Sequence, residues 1–398
     1  MKDKCNSSNW LETTLGEMLV FQRGYDITKK EQIPGPYKVI SSSGPVSSHV
    51  ENKVKGPGVI IGRKGTLGTV FYSEHPFWPH DTTLWVKEFN GNDAKFAYYF
   101  LKTLHLEQYD CGASNPTLNR NHIHLIKVKY PNVYCQRKIA GILSTFDGLI
   151  ENNTRRIKIL EEMAQMLYQE WFVKFRFPGH EKVKMVESEI GMIPDEWGIK
   201  RLSEVVDTQY GYTESARELP VGPKYLRGTD INKNSYIDWD EVPFCPITKK
   251  DLNKYKLKKD DILVIRMADP GKIGIVERLV EAVFASYLIR LTIKSASVTP
   301  YYLFYFLLSD RYQNYINGAS TGTTRKSASA GVITDIRLAI PPQEIISRFE
   351  KIIVEYRDFL NILIKKNVVL RNTRDLLLPK LISGELDVED LDIDVGGD

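Results

Sequence analysis

Two segments of the chain, 136–175 and 343–378, carry apolar or aromatic side chains at intervals of seven residues. A single apolar face sustained over so many turns predicts a long α-helix that packs as a coiled coil. We therefore expect two long helices with matching registers, packed antiparallel as a spacer between domains. The side chains predicted to pack in this spacer are Ile139, Phe146, Leu160, Leu167, Phe349, Tyr356, Leu363 and Leu370.

Asn153 interrupts the first apolar row between Phe146 and Leu160. A buried asparagine in a coiled coil pairs with another polar group and fixes the register of the helices. An exposed asparagine fits the sequence equally well. A second row runs beside the first on the same helix, through Leu143, Ile150, Ile157, Ala164 and Trp171.

Residues outside the helices also repeat, at offsets that rise along the chain. Such drift is expected of two copies of one unit after loop insertions in the second copy, and it predicts tandem domains. The matching pairs are Trp10 with Trp197, Gly65 with Gly271, Gly68 with Gly274, and Pro131 with Pro341, at offsets of 187, 206, 206 and 210.

Short β-branched and aromatic runs, separated by Gly, Pro and Ser, predict strands on either side of the first long helix. The predicted fold class is therefore α+β, with two mixed α/β domains separated by the two helices and related by a pseudo-two-fold internal duplication. The predicted divisions are a first domain at 1–133, a helix at 134–178, a connector and second domain at 179–341, a helix at 342–384, and an acidic, frayed tail at 385–398.

The elements of both domains follow from the same patterns. A helix is predicted to begin at Asp93, because its carboxylate can cap the amides that follow. A second helix is predicted at 300–316. The predicted strands are 37–42, 59–62, 68–72, 83–87 and 123–128 in the first domain, and 225–229, 262–266, 274–277, 284–293 and 336–340 in the second.

The net charge of the chain is +4, but the charge is unevenly distributed. Seven carboxylates lie beyond residue 384 with no lysine or arginine among them, so the remainder of the chain carries +11. A body this basic favours a polyanionic partner, although a modest charge spread over a large chain also serves solubility. The longest apolar run, 301–308, is too short to span a bilayer.

The sequence lacks the motifs of common catalytic sites. No Gly-x-x-x-x-Gly-Lys-Ser/Thr loop occurs, which argues against an ATP-driven motor. Asn115-Pro116-Thr117 lacks the second proline and the aromatic residue of the loop used by adenine methyltransferases. His122 and His124 would share one face of a strand, but no third ligand lies nearby, so a polar strand face is the stronger interpretation. We predict no catalytic residue, metal or cofactor in this chain.

Two basic loops, 63–66 and 266–272, follow strands at matching places in the predicted domains, and two polar loops lie at 114–121 and 320–327. Glycine lets a backbone approach a DNA groove, arginine can grip a guanine edge, and lysine offers charge to phosphate. Each loop singly also fits a mobile, solvated surface, but their recurrence favours DNA. The predicted DNA-contact residues are Arg63, Lys64, Thr66, Asn115, Asn119, Arg120, Arg227, Arg266, Lys272, Thr323, Thr324, Arg325 and Lys326.

Five motifs spread over essentially the whole chain resemble the specificity subunit of type I restriction-modification systems. None of them is a catalytic signature. They are Trp171-Phe-Val-Lys-Phe-Arg-Phe-Pro-Gly179, Gly191-Met-Ile-Pro-Asp-Glu-Trp197, Thr373-Arg-Asp-Leu-Leu-Leu-Pro-Lys-Leu-Ile-Ser-Gly-Glu-Leu386, Gln136-Arg-Lys-Ile-Ala-Gly-Ile-Leu143, and Pro341-Pro342 before the second helix.

The resemblance implies that each domain is a target recognition domain that reads one half of a bipartite double-stranded DNA site. Because the two domains differ strongly, the site should be asymmetric. The helices would fix the spacer and dock methyltransferase subunits, with two expected. S-adenosylmethionine, ATP and Mg²⁺ would reside on those subunits and on restriction/translocase subunits, and this chain would not be an enzyme. A cytoplasmic protein of a bacterium or archaeon, without a membrane partner, is expected.

A coiled-coil scaffold or adaptor whose two domains bind protein partners is the alternative function. The seven-residue repeats fit this function equally well. Assembly with a partner that is insensitive to DNA would favour it.

Overall fold

A computed structural model describes residues 10–111, 116–231, 235–320 and 326–393. The predicted contact residues Asn115, Thr323, Thr324 and Arg325 lie outside these ranges. The chain divides into a first unit, Met1–Thr154 with Ile364–Asp398, and a second unit, Arg155–Leu363. Both long helices cross the division, so each unit contains a stretch of each helix.

The first unit is built on a four-stranded sheet of order β2-β8-β5-β6, a three-stranded sheet β4-β3-β7, and the pair β1-β9. A short 3₁₀ helix, Leu106–Tyr109, follows α2. The elements are β1 (Leu11–Thr14), α1 (Leu15–Met18), β2 (Val20–Arg23), β3 (Tyr37–Ser41), β4 (Gly44–His49), β5 (Gly58–Gly62), β6 (Val70–Ser73), β7 (Phe77–Pro79), β8 (Thr83–Glu88), α2 (Ala94–Lys102), α3 (Arg120–His124), β9 (Lys127–Tyr130) and the beginning of α4 (Val133–Tyr168).

The second unit begins within α4, which continues as a π-helical turn, Gln169–Val173, before a 3₁₀ turn at His180–Lys182. Its elements are β10 (Met185–Ser188), β11 (Gly191–Pro194), β12 (Gly198–Arg201), α5 (Leu202–Val205), β13 (Val206–Tyr210), β14 (Lys224–Leu226), α6 (Gly228–Ile231), α7 (Lys249–Tyr255), β15 (Ile262–Ile265), β16 (Ile273–Ile275), β17 (Ala282–Phe284), β18 (Leu288–Ile293), α8 (Pro300–Leu308), α9 (Asp310–Ala319), α10 (Ala330–Thr334), β19 (Arg337–Ile340) and α11 (Gln343–Ser383).

The strand order of the first unit recurs in the second. The sheet β13-β18-β15-β16 has the order of β2-β8-β5-β6, and the antiparallel pair β12-β19 matches β1-β9. The parallel pair β14-β17 matches the parallel pair β3-β7. Each unit also has a helix after its last central strand, α2 or α8, whose apolar face packs in the core.

Several of the predicted elements differ in the structure, among them the predicted strand 225–229, which is β14 followed by the helix α6. The predicted strand 123–128 is instead α3 followed by β9, because Asn119 caps a helical turn by accepting a hydrogen bond from the Asn121 amide. His122 and His124 therefore do not lie on a strand, and His124 Nε2 accepts a hydrogen bond from the Phe21 amide. The predicted strand 284–293 is two strands, and the predicted helix 300–316 is broken at Ser309, which begins α9.

The two long helices contact each other within each unit. In the first unit Arg374 of α11 forms an ion pair with Asp147 of α4. In the second unit the Phe349 ring lies 6.1 Å from both Tyr168 and Trp171.

The second apolar row of α4 is buried more deeply than the first. Leu143, Ile157 and Ala164 are at most 5% exposed. Of the predicted packing residues, Ile139, Phe349 and Leu363 are buried. The others are only partly buried: Phe146, Leu160, Leu167, Tyr356 and Leu370.

Asn153 is buried and hydrogen-bonded in the first unit. Its Nδ2 donates to Oδ1 of Asn367 on α11 at 2.9 Å, and Asn367 is only 3% exposed. Asn367 Nδ2 in turn donates to the Thr154 hydroxyl at 3.4 Å. A shift of either helix by one turn would leave both amides facing apolar side chains, so the pair holds the register.

We expect Asn367→Ala to lower the free energy of unfolding by about 1–3 kcal/mol, because the buried Asn153 amide loses its partner. Replacing both asparagines by leucine should restore most of that loss, since no unpaired polar group remains. Urea denaturation measures both effects. Asn152→Ala, at an exposed neighbouring position, is the control and should change stability by less than about 0.5 kcal/mol. An equal loss in the control would contradict this account.

A buried ion pair connects α11 to the β-rich part of the second unit. Arg357 is 1% exposed, and its Nε and Nη2 donate to the two carboxylate oxygens of Glu277 at 2.6 and 2.7 Å. The Tyr301 hydroxyl donates to Glu277 at 2.9 Å, and Arg357 Nη1 donates to the Ser235 hydroxyl at 3.0 Å. Ser235 also donates to Glu161 of α4. The network thus joins both long helices to the domain they carry.

Arg357→Met is expected to destabilise the second unit by about 3–5 kcal/mol, because the Glu277 carboxylate stays buried without its cation. The double variant Arg357→Met/Glu277→Gln should recover much of the loss. Hydrogen exchange of peptides from 235–320 reports on this unit. Arg337→Met removes an exposed ion pair with Glu189 and should change stability by at most about 1 kcal/mol. Comparable destabilisation in Arg357→Met and Arg337→Met would show that the buried ion pair contributes no more stability than the exposed one.

The described part of the acidic tail is not frayed, contrary to the expectation from its charge. Val388 is 2% exposed and belongs to the core of the first unit. The Lys138 ammonium of α4, itself buried, donates to the backbone carbonyls of Val388, Glu389 and Leu391 at 2.8–3.2 Å. Backbone carbonyls therefore accept the hydrogen bonds of a buried cation, while Glu385, Asp387, Asp390 and Asp392 stay exposed and Glu389 is partly buried.

Within the described ranges, no helix has both the length and the apolar character that crossing a bilayer would need.

Candidate nucleic-acid interface

One loop in each unit follows the central strand β5 or β15 and is closed by the same backbone hydrogen bonds. Gly68 N–H donates to the Gly62 carbonyl at 3.0 Å, and Gly271 N–H donates to the Ile265 carbonyl at 3.0 Å. Gly68 and Gly271 are therefore the equivalent positions, at an offset of 203, and the predicted pairing of Gly65 with Gly271 and of Gly68 with Gly274 is wrong. Both have a positive φ, which glycine adopts without strain.

Arg63 and Arg266 occupy the same place in these two basic loops, 63–68 and 266–271. The Arg63 amide donates to the Thr82 carbonyl at 2.8 Å, and the Arg266 amide donates to the Tyr287 carbonyl at 2.9 Å. Each arginine carbonyl then accepts a hydrogen bond from a polar loop, from Leu118 N–H in the first unit and from Ala328 N–H in the second, both at 2.9 Å. The basic and polar loops, predicted separately, are thus joined in each unit.

The neighbours of Arg63 include both acidic and basic side chains. Its Nη1 donates to the Asp81 carbonyl at 3.4 Å, and the Asp81 carboxylate is paired with Arg23 at 3.2 Å. Burial, together with the positive charge of Arg23, lowers the pKa of Arg63, and Asp81 opposes this effect. Arg23 also pairs with Asp26 at 3.0 Å, so the acidic groups at this edge bind Arg23, while the Arg63 side chain, among the described residues, contacts only a backbone carbonyl.

Arg266 has an aromatic neighbour instead. Its guanidinium carbon lies 5.0 Å from the centre of the Tyr210 ring, at the end of β13. The Tyr210 hydroxyl accepts a hydrogen bond from the Ala330 amide at 3.1 Å. Ala268 has φ +72°, a strained value for a residue with a side chain, and its amide donates to the Lys326 carbonyl at 3.0 Å. Tyr210 and Tyr287, both exposed, were not found from the sequence because neither lies in a basic stretch.

The remaining predicted contact residues fall into two groups. Arg227 is paired with an acidic side chain of its own unit. Its Nε and Nη2 donate to Asp230 at 3.1 and 2.9 Å, and this hydrogen bonding raises the pKa of Arg227. The other described residues have exposed side chains in or beside the joined loops, namely Lys64, Thr66, Asn119, Arg120, Lys272 and Lys326. Asn119 has its side-chain oxygen engaged as the cap of α3.

In the described part of the chain, no group of three or more His, Cys, Asp or Glu side chains is arranged to hold a metal ion. The joined loops present lysine and arginine side chains, hydrogen-bond donors and the ring of Tyr210. These are the groups that bind phosphates and the edges of bases.

Comparison with known proteins identifies the family. The model described as the type I restriction modification DNA specificity domain matches residues 7–162 and 194–371. The chain is 26% identical over 346 residues to the type I restriction enzyme MjaIX specificity subunit of Methanocaldococcus jannaschii, covering 84% of this chain and 78% of that protein. It is 25% identical over 355 residues to the EcoBI specificity subunit of Escherichia coli, covering 82% and 73%.

A solved structure shares the fold. The crystal structure of a type I restriction-modification system S subunit from M. genitalium aligns with a TM-score of 0.59 at 17% identity, covering 94% of this chain and 96% of that one. The two segments matched by the family model together span most of the chain and include both sets of joined loops. The chain therefore belongs to the family of type I restriction-modification specificity subunits.

Proposed function

We propose that each unit of this chain reads one half of a bipartite DNA site for a type I restriction-modification complex. The observation that carries the proposal is the recurrence of one construction, a basic loop joined to a polar loop through the carbonyl of Arg63 or Arg266. A fixed backbone with variable side chains is how a scaffold can present different base contacts. Lysines at the loop surface supply phosphate contacts.

The two halves of the site are proposed to differ in sequence. The first unit presents Arg63 beside Asp81 and Arg23, whereas the second presents Arg266 on the ring of Tyr210. Since the hydrogen-bonding groups differ, the preferred base pairs should differ as well. An asymmetric target follows.

The long helices are proposed to form an antiparallel coiled coil, with the units related by a pseudo-two-fold axis, and to set the length of the non-specific spacer. The Asn153–Asn367 hydrogen bond and the Arg357–Glu277 pair support this role. The first opposes sliding of one helix along the other, and the second opposes movement of the second domain along its helices. Helices of this length, at about 1.5 Å per residue, suit a rigid spacer.

The outer face of α4 is proposed to dock a methyltransferase subunit. Ile159, Met163 and Met166 follow one another at intervals of four and three residues, so they share one face, and each is exposed. Methionine is common at protein-binding surfaces because it adapts its shape. Two such subunits, together with restriction/translocase subunits, would carry S-adenosylmethionine, ATP and Mg²⁺, and the reactions would occur there.

Exchanging residues 1–133 for those of another family member should change one half of the methylated motif and leave the other half and the spacer unchanged. The reciprocal exchange of 179–341 should change the other half. Methylome sequencing of a host that expresses each chimera measures the motif. A motif that changes in both halves would refute independent reading. A motif indifferent to this chain, with assembly intact, would favour the scaffold function.

Met166→Glu should weaken association with the methyltransferase subunit at least about tenfold, because a charge would enter an apolar contact. Lys158→Gln, at an exposed position of the same helix, is the matched control and should retain affinity. Isothermal titration of the purified chain with the subunit provides both values. Unchanged affinity in Met166→Glu would place the docking surface elsewhere.

A further inference from the structure

We infer that Arg266, whose guanidinium carbon lies 5.0 Å from the centre of the Tyr210 ring, recognises a guanine in the half-site read by the second unit. This inference rests on the proposed function and goes beyond it by assigning one base to one side chain. Arg227, the other arginine predicted to contact DNA in the described part of this unit, has two of its donors bound to Asp230. Arg266 forms no ion pair with any described residue.

The donors of Arg266 that can reach DNA are the two terminal nitrogens of its guanidinium. Its Nε is buried and has no hydrogen-bond partner among the described residues. Its Nη1 has only a long contact, 3.8 Å, with the sulfur of Met267. The two terminal nitrogens thus remain as a planar pair of donors, the arrangement that matches O6 and N7 of guanine in the major groove.

Tyr210 restricts where this pair can lie. An aromatic ring attracts the arginine cation, and the Tyr210 hydroxyl accepts a hydrogen bond from the Ala330 amide at the start of α10. The arginine backbone is fixed on both sides, by Tyr287 through its amide and by Ala328 through its carbonyl. A donor pair whose backbone and position are restricted before DNA binds loses less conformational freedom on binding.

Exposed lysines of the same joined loops serve a different role. Lys272 and Lys326 have no ion-pair partner among the described residues, and both side chains extend into solvent. Such flexible point charges suit phosphates, which carry no sequence information. The loops therefore separate base reading, at Arg266, from backbone attraction, at the lysines.

The test uses the complex reconstituted with its methyltransferase subunits and a library of random DNA duplexes, with sequencing of the bound fraction. The wild-type consensus should contain a guanine at one position that Arg266→Lys renders degenerate, with about ten- to a hundredfold loss of preference there. All other positions should be unchanged, and the retained preferences at the other positions of the second half-site show that the second unit of the variant is folded. Tyr210→Phe should keep the preference, whereas Tyr210→Leu should weaken it at the same position.

Lys272→Ala is the matched control within the loop. It should lower affinity for every sequence alike and reduce the dependence of binding on salt, without altering the consensus. If Arg266→Lys lowers affinity for every sequence alike, as this control does, Arg266 contacts a phosphate. That result would overturn the inference about guanine but not the proposed function. A consensus in Arg266→Lys identical to that of the wild type would also overturn it. A wild-type complex that selects no consensus would overturn the proposed function, and the inference with it.

Discussion

Each β-rich domain completes its core only against a stretch of the long helices. In the first unit, Leu143 of α4 and Leu381 of α11 share a core with Phe96 and Phe100 of α2. In the second, Ala164 and Phe349 share a core with Tyr302 of α8. Burial of apolar surface is the main stabilising term in folding, so the domains and the helices depend on each other. A recognition domain of this kind has no complete core without its helical stretch.

The joined loops do not depend on these cores for their backbone arrangement. The joined loops are held by backbone hydrogen bonds, from Leu118 to Arg63 and from Ala328 to Arg266. Backbone bonds do not require particular side chains, so the same frame can hold Arg63 beside a carboxylate in one unit and Arg266 beside a ring in the other. The residues that stabilise the domain thereby differ from the loop residues that we propose to contact bases.

The long helices could be predicted from the sequence because a seven-residue period depends on local geometry alone. The deeper burial of the row through Leu143 and Ile157 could not be predicted from the sequence, since it depends on which neighbouring element covers each face of the helix. The joining of Arg63 to Leu118 links residues 55 positions apart and leaves no local signal. The ion pair between Arg227 and Asp230 could have been predicted from the sequence, because Asp230 lies three residues away and an aspartate at that spacing commonly pairs with an arginine.

The equivalence of Gly68 and Gly271 follows from backbone hydrogen bonds and not from the spacing of glycines in the sequence. Gly65 with Gly271 fits an offset of 206, yet the hydrogen bonds that close the loops pair Gly68 with Gly271. A Cβ at Gly68 would lie 2.6 Å from the Glu107 amide nitrogen, and one at Gly271 would lie 2.4 Å from the Ile316 side chain. Positive φ and close packing both require these glycines. Gly65 also has a positive φ, but among the described residues a Cβ there would have one neighbour within 4 Å, at 3.8 Å. Equivalence between the copies follows from these backbone constraints, which survive while the contacting side chains diverge.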